Sequence, residues 1–86
     1  KVGVVVRPLS PDEQRESKLA GGVVVEDVAG AAAKAGVRPG DVIVSVNRTA
    51  VKDPAQLKSL VEGSGKTVAL LIQRDDGRIF IPVPLG

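Results

Sequence analysis

The chain has 86 residues, with 12 basic side chains against 10 acidic, no histidine, no cysteine and one aromatic residue, Phe80. A chain this short buries roughly 60–65% of its unfolded surface, so its core is thin and must be aliphatic. The charges are scattered and net only +2; with no basic stripe and no aromatic platform for stacking bases, nucleic acid is excluded as an expected partner.

Val2 to Arg7 is a short valine-rich run that predicts a strand, and Pro8, which has no N–H to donate, ends it. Ser10-Pro11-Asp12-Glu13 is a helix-start signature. Ser10 can cap, Pro11 suits the first helical position and Glu13 completes a capping box, so a short polar helix is expected over 11–17. The alternative is a solvated loop with one turn. After Gly21-Gly22, the run from Val23 to Val28 predicts a strand, and three successive valines suggest burial on both faces. Gly30 to Gly36 is alanine-rich and predicts a helix that Gly36 can stop in a left-handed conformation.

Arg38-Pro39-Gly40-Asp41 reads as a turn. A strand follows over 42–46, then a turn at Asn47-Arg48 and a short strand at Ala50-Val51. Asp53 can cap the next helix, with Pro54 at its first position, running to Glu62 and stopped by Gly63 and Gly65. Thr67 to Gln73 is a strand with Val68, Leu70 and Ile72 on one face. Asp76-Gly77 predicts a hairpin turn, and the last strand carries Ile79, Ile81, Val83 and Leu85 on one face. Pro82 and Pro84 lie two apart, so their missing donors fall on one edge, which is expected to be open. The pattern reads as one α+β domain over residues 1–86: a small antiparallel β-sandwich or barrel of five or six strands, capped by two or three helices.

The chemistry of catalysis is absent. Without histidine or cysteine there can be no Ser-His-Asp triad, Cys-His pair, disulfide or His- or Cys-ligated zinc site. None of the serines stands in a Gly-x-Ser-x-Gly elbow, and Gly63-Ser64-Gly65-Lys66 lacks the spacing of a phosphate-binding loop. No catalytic residue, metal ligand or cofactor is assigned. No apolar run approaches the ~18 residues of a membrane span, so direct membrane insertion is not expected. The chain begins at Lys1 without a signal peptide and reads as a piece of a longer protein.

The segment Gly30-Ala31-Ala32-Ala33-Lys34-Ala35-Gly36-Val37-Arg38-Pro39-Gly40-Asp41-Val42-Ile43-Val44-Ser45-Val46-Asn47 resembles the most recognisable stretch of PDZ domains: an Ala-rich helix, an Ala-Gly-Φ-x-Pro-Gly-Asp turn and a strand ending in Asn. The order of elements resembles the circularly permuted bacterial version, in which the carboxylate-binding loop and groove strand come first. Lys1-Val2-Gly3-Val4 matches its x-Φ-Gly-Φ loop. The whole chain looks most like a PDZ module, the second and C-terminal one, of HtrA/Deg-type serine proteases. Two departures stand out: Arg48 replaces the glycine common after Asn, and Gly30-Ala31 replaces a common Ser-Pro.

The resemblance implies a peptide-binding module, with no proteolytic activity of its own, that adds an extended or C-terminal peptide as a strand. The N–H groups of Val2, Gly3 and Val4 would hold the peptide carboxylate, with Gly3 permitting the curled backbone. Val4, Val5 and Val6 would be the groove strand. Val2, Val4, Val6, Pro54, Lys58 and Val61 would line the pocket and its helix wall, with Leu57 and Leu60 turned to the core. Proline at 54, near the position that reads the third-from-last ligand residue, implies an apolar preference there. The plainer alternatives are that Val2, Val4 and Val6 are core valines under the 54–62 helix and that Gly3 is a strand bulge. Arg7, Arg15 and Arg38 receive no role.

Implied partners are C-terminal or unfolded peptide segments and the other domains and subunits of a parent protease, with a periplasmic location; the isolated domain is expected to be monomeric. Competing readings are an architectural contact between protease subunits, or the PDZ domain of an intramembrane metalloprotease or secretion component.

Overall fold

The computed structural model describes residues 3–17, 21–74 and 77–85. Lys1, Val2 and the Asp76 half of the expected hairpin turn therefore lie outside the described residues. Among the described residues, six strands form one antiparallel sheet: β1 (Val4–Pro8), β2 (Val23–Val28), β3 (Val42–Val46), β4 (Thr49–Ala50), β5 (Thr67–Arg74) and β6 (Gly77–Pro84), in the order β1-β2-β3-β5-β6 with β4 paired to β3. The sheet is open and does not close into a barrel; β1 and β6 are its borders. The described residues also form three helices: α1 (Pro11–Ser17), α2 (Gly30–Ala35) and α3 (Pro54–Glu62).

Strand alternation builds the core. Ile43, Val46, Val68, Leu70, Ile72, Ile81 and Val83 are buried on one face, covered by Ala32 of α2 and by Leu57 and Val61 of α3. Each fully buried aliphatic side chain contributes about 1.5–3 kcal/mol. α2 packs on β6, and α3 packs on β1 and β3. The three successive valines are all buried because β2 is covered on both faces. Val23 and Val25 join the main core, and Val24 joins Leu9, Val42 and Val44 on the outer face.

The turn before β3 is tied by one carboxylate. Asp41, 4% exposed, accepts the Arg38 N–H at 2.9 Å and a two-pronged contact from Arg74 at 2.9 and 2.6 Å. The Arg74 guanidinium also donates to the Gly36 carbonyl at the end of α2. Burial pushes the Asp41 carboxyl up, but the bonds from Arg74 and the Arg38 N–H outweigh it, and the group titrates below its ordinary value. At α1 the capping box forms: Ser10 Oγ accepts from the Glu13 N–H, and Glu13 Oε1 accepts from the Ser10 N–H.

Several details differ from the sequence reading. The described part of β1 runs one residue further than expected, to Pro8, which is possible because, among the described residues, that strand has no neighbour on its outer side. The short strand is Thr49–Ala50; Val51 is buried just beyond it, its N–H bonded to the Val44 carbonyl. Arg48 does not disturb its turn: Asn47 and Arg48 have φ of 50° and 72°, the left-handed conformation that glycine would take. Ile79 shares the face of Ile81 but is 37% exposed, because a border strand leaves its flank uncovered. On β6 the Leu85 N–H donates inward to the Lys66 carbonyl, so by alternation Pro82 and Pro84 face outward, where no N–H is needed.

Candidate functional site

The site is a cleft of about 540 Å³ between β1 and α3. Its strand wall is the free side of β1. The Ala29 N–H donates to the Gly3 carbonyl at 2.7 Å, which turns Gly3 toward β2. Alternation then turns Val5 and Arg7 toward β2 and leaves the main-chain groups of Val4, Val6 and Pro8 on the open side. Pro8 has no N–H, and its carbonyl accepts from Arg7 Nη1. The usable ladder is therefore the N–H and C=O groups of Val4 and Val6. Their side chains pack against the core, while Val5 on the opposite face is 56% exposed.

One end of the cleft is built by Gly3. Its φ is +89°, and a Cβ there would lie 2.0 Å from the Ala29 carbonyl oxygen. Only glycine lets the chain curl so closely past the end of β2. Within β2, Val5 stands opposite Asp27 and Val6 opposite Val25, so Glu26 is an extra residue in a bulge.

The helix wall is fixed at both ends by side chains. At its start, Asp53 Oδ1 accepts the Gln56 N–H at 2.7 Å, while Gln56 accepts the Lys52 N–H and donates to the Ala50 carbonyl. At its finish, Ser64 Oγ donates to the Leu60 carbonyl and accepts from Asn47 Nδ2, whose Oδ1 accepts the Ala69 N–H of β5. The strand-ending Asn thus ties α3 to the sheet.

The structure brings Gly3, Val4, Val5, Val6, Pro54, Lys58 and Val61 together around this cleft; Val2 lies outside the described residues. Lys58 is exposed, whereas Val61 is 6% exposed and belongs to the core as well as to the cleft. Sequence reasoning missed Asp27, Val28, Ala29, Leu57 and Glu62, which also line it. The sequence reading places Leu57 in the core alone, whereas it serves both core and cleft. The β2 residues carry no local signal, since only strand register brings them to Gly3.

Arg7, given no role from sequence, locks the far end of β1. Its guanidinium forks onto Glu13 at 2.7 and 2.8 Å and lies 3.3 Å from Glu26. The Arg7 hydrogen bonds, with those from Ser10, hold the Glu13 carboxyl down at about 2. Arg15 pairs with Asp12 on exposed α1.

Residues 22–74 match the PDZ domain family. The chain is a PDZ domain. β1 stands first in chain order and the β5–β6 hairpin last, which is the permuted order. Among curated proteins it is similar to a probable DegP-like periplasmic serine endoprotease of Hahella chejuensis, 41% identical over 84 residues, 94% of this chain and 18% of that protein. It is also similar to the periplasmic serine endoprotease DegP of Escherichia coli K12, 40% identical over 62 residues, 70% of this chain and 13% of that one. The PDZ domain thus spans less than a fifth of the length of these relatives. Among solved structures, the HtrA-type protease AlgW with a decapeptide superposes with a TM-score of 0.82 at 26% identity, over 100% of this chain and 28% of that one. The HtrA3 PDZ domain bound to a phage-derived ligand shares the fold, with a TM-score of 0.85 at 23% identity, over 98% of this chain and 82% of that one.

Proposed function

We propose that this PDZ domain binds extended peptides, chiefly free C-termini, by adding them as a strand to β1, and that it serves substrate recognition or regulation in a periplasmic HtrA/Deg-type serine protease. The observation that carries this reading is a border strand whose main-chain groups at Val4 and Val6 face its open side, with no strand partner among the described residues, beside an apolar cleft. Solved relatives of HtrA type are described with a decapeptide and a tripeptide, and the curated relatives are named periplasmic endoproteases.

The peptide runs antiparallel to β1 with its carboxylate at the curled loop, held by the N–H groups of Val2, Gly3 and Val4. Its last side chain enters the cleft among Val4, Val6, Leu57 and Val61. Pro54 carries no side-chain donor, so the third-from-last residue is apolar. The domain acts as one folded unit over residues 1–86 and cleaves nothing itself.

The test is titration of the isolated domain with a short peptide ending in a free aliphatic residue, followed by NMR shift mapping. A Kd near micromolar, about −8 kcal/mol, with shifts at residues 3–6 and 54–61, is expected. Amidating the peptide C-terminus should weaken binding at least about tenfold, as expected for loss of one or two charge-assisted hydrogen bonds at ~1.5–3 kcal/mol each. Shifts elsewhere, or an amidated peptide of equal affinity, would overturn the reading.

A further inference from the structure

The cleft accounts for only half the side chains of an added strand. Successive side chains of a strand point to opposite faces. If the last peptide residue enters the cleft, the next-to-last lies on the other face of the sheet, beside Val5. Val5 is the most exposed of the β1 valines, and its cross-strand neighbour on that face is Asp27. Val5 and Asp27, which also border the cleft, form there a second surface that the bound peptide must cross.

Asp27 is poised there. One carboxylate oxygen accepts the N–H of Val28 at 2.9 Å, which orients the group on the β2 backbone. No cation lies within ion-pair distance of it among the described residues. The nearby guanidinium of Arg7 is already shared between Glu13 and Glu26. The face beside the groove strand therefore offers an apolar patch, Val5, followed one strand further in by a negative charge.

We propose that the domain selects peptides with a basic residue, arginine above lysine, at the next-to-last position, read by Val5 and Asp27. The long aliphatic stem lies on Val5 and the cationic head reaches the Asp27 carboxylate; long cationic side chains routinely cover apolar surface in this way. The distance suits it. Adjacent strands lie ~4.8 Å apart, so the peptide backbone and β2 are about 10 Å apart, a gap that arginine and aspartate span when both extend. Arginine is favoured over lysine because its planar fork can engage both carboxylate oxygens. An acidic residue at the same position faces Asp27 with like charge and is disfavoured. This inference rests on the strand-addition reading, and the experiment separates the two.

Three peptides with free C-termini, alike except for Arg, Ala or Glu at the next-to-last position, are titrated into the wild-type domain and into Asp27→Asn. The variant is chosen because asparagine keeps the Val28 N–H bond and the site is exposed, so folding is not at stake. At about 0.01 M ionic strength, where the Debye length is ~30 Å, the Arg peptide should bind about two- to fivefold tighter than the Ala peptide, the range of an exposed ion pair. The Glu peptide should bind more weakly than Ala by a similar factor. In Asp27→Asn the Arg-to-Ala ratio should fall to near one, and at about 1 M salt it should do the same in the wild type. A ratio of one in the wild type at low salt, or a ratio that survives Asp27→Asn, overturns the inference. If the Ala peptide binds and is lost on amidation while arginine gives no advantage, only this inference falls. If no peptide binds the wild type, the strand-addition reading falls and takes this one with it.

Discussion

Replacing Gly3 by alanine probes the join between fold and site. The new Cβ would stand 2.0 Å from the Ala29 carbonyl oxygen and 2.9 Å from its carbon, both main-chain atoms that cannot rotate aside. The backbone must shift, and the 2.7 Å bond from the Ala29 N–H to the Gly3 carbonyl goes with it. A side chain at φ +89° adds about 1–2 kcal/mol of backbone strain, and the lost hydrogen bond about 0.5–1.5 kcal/mol. The expected loss is about 2–3 kcal/mol, or roughly 10–20 °C in melting temperature for a domain of this size. Gly65→Ala is the control: φ is +79° there, with nothing within 4 Å of the new Cβ, so it should lose only the ~1–2 kcal/mol of strain. Urea unfolding of the two variants gives the difference. Peptide titration of Gly3→Ala should show binding weakened at least about tenfold, because the backbone shift at Gly3 would displace the loop proposed to hold the carboxylate. If Gly3→Ala is no less stable than Gly65→Ala and binds peptide as the wild type does, the contact with Ala29 does not shape the loop.

Asp41→Ala leaves Arg74 without its carboxylate and the Arg38 N–H without an acceptor. We expect a loss of about 2–4 kcal/mol in urea unfolding, somewhat below the ~3–5 of a fully buried pair because the Arg74 side chain is 25% exposed; a loss under ~1 kcal/mol would refute the assignment. Glu13 titrates at about 2 in the folded chain against 4.5 ordinarily, and Asp41 also titrates below its ordinary 3.8. Groups lowered by folding add stability that is complete above the unfolded pKa and disappears as pH falls through the folded one. Melting temperature should therefore be steady above about pH 5 and fall between pH 4.5 and 2, and Glu13→Gln should flatten part of that fall; an unchanged slope would refute it. Val61→Glu should unfold the domain rather than merely block the cleft, since Val61 is buried in the core; a native circular dichroism spectrum and melt would show otherwise. Sedimentation of the isolated domain should give one species near its mass of 8.8 kDa, and a dimer would favour the architectural reading.

What was legible in the sequence is what local chemistry dictates. Ser10-Pro11-Asp12-Glu13 announced a capped helix and Asp53-Pro54 another, and both form because the caps are satisfied within three residues. The Pro39-Gly40-Asp41 turn and the valine strands were equally plain. Contacts set by register were not. The Glu26 bulge, the fit of Gly3 against Ala29 and the facing of Val5 with Asp27 depend on how two strands align, and no residue type signals that alignment. Arg7 was opaque for the same reason: its partners are six and nineteen residues away in a chain rich in other carboxylates. Leu57 and Val61 were divided between core and cleft, but in so thin a domain one side chain does both.

The two borders of the sheet have opposite fates. On β6 the outward positions at Pro82 and Pro84 have no hydrogen to offer, so a neighbouring chain meets carbonyls there and no donors. On β1 the offer lasts for two residues before Pro8 and Arg7 close it. A copy seated on β1 would therefore meet a broken edge at β6, where, among the described residues, only Arg78 and Phe80 turn an N–H outward. The prolines thus interrupt the run of outward donors on β6 and make that edge a poorer template for a continuous ladder of copies than an unbroken strand would be.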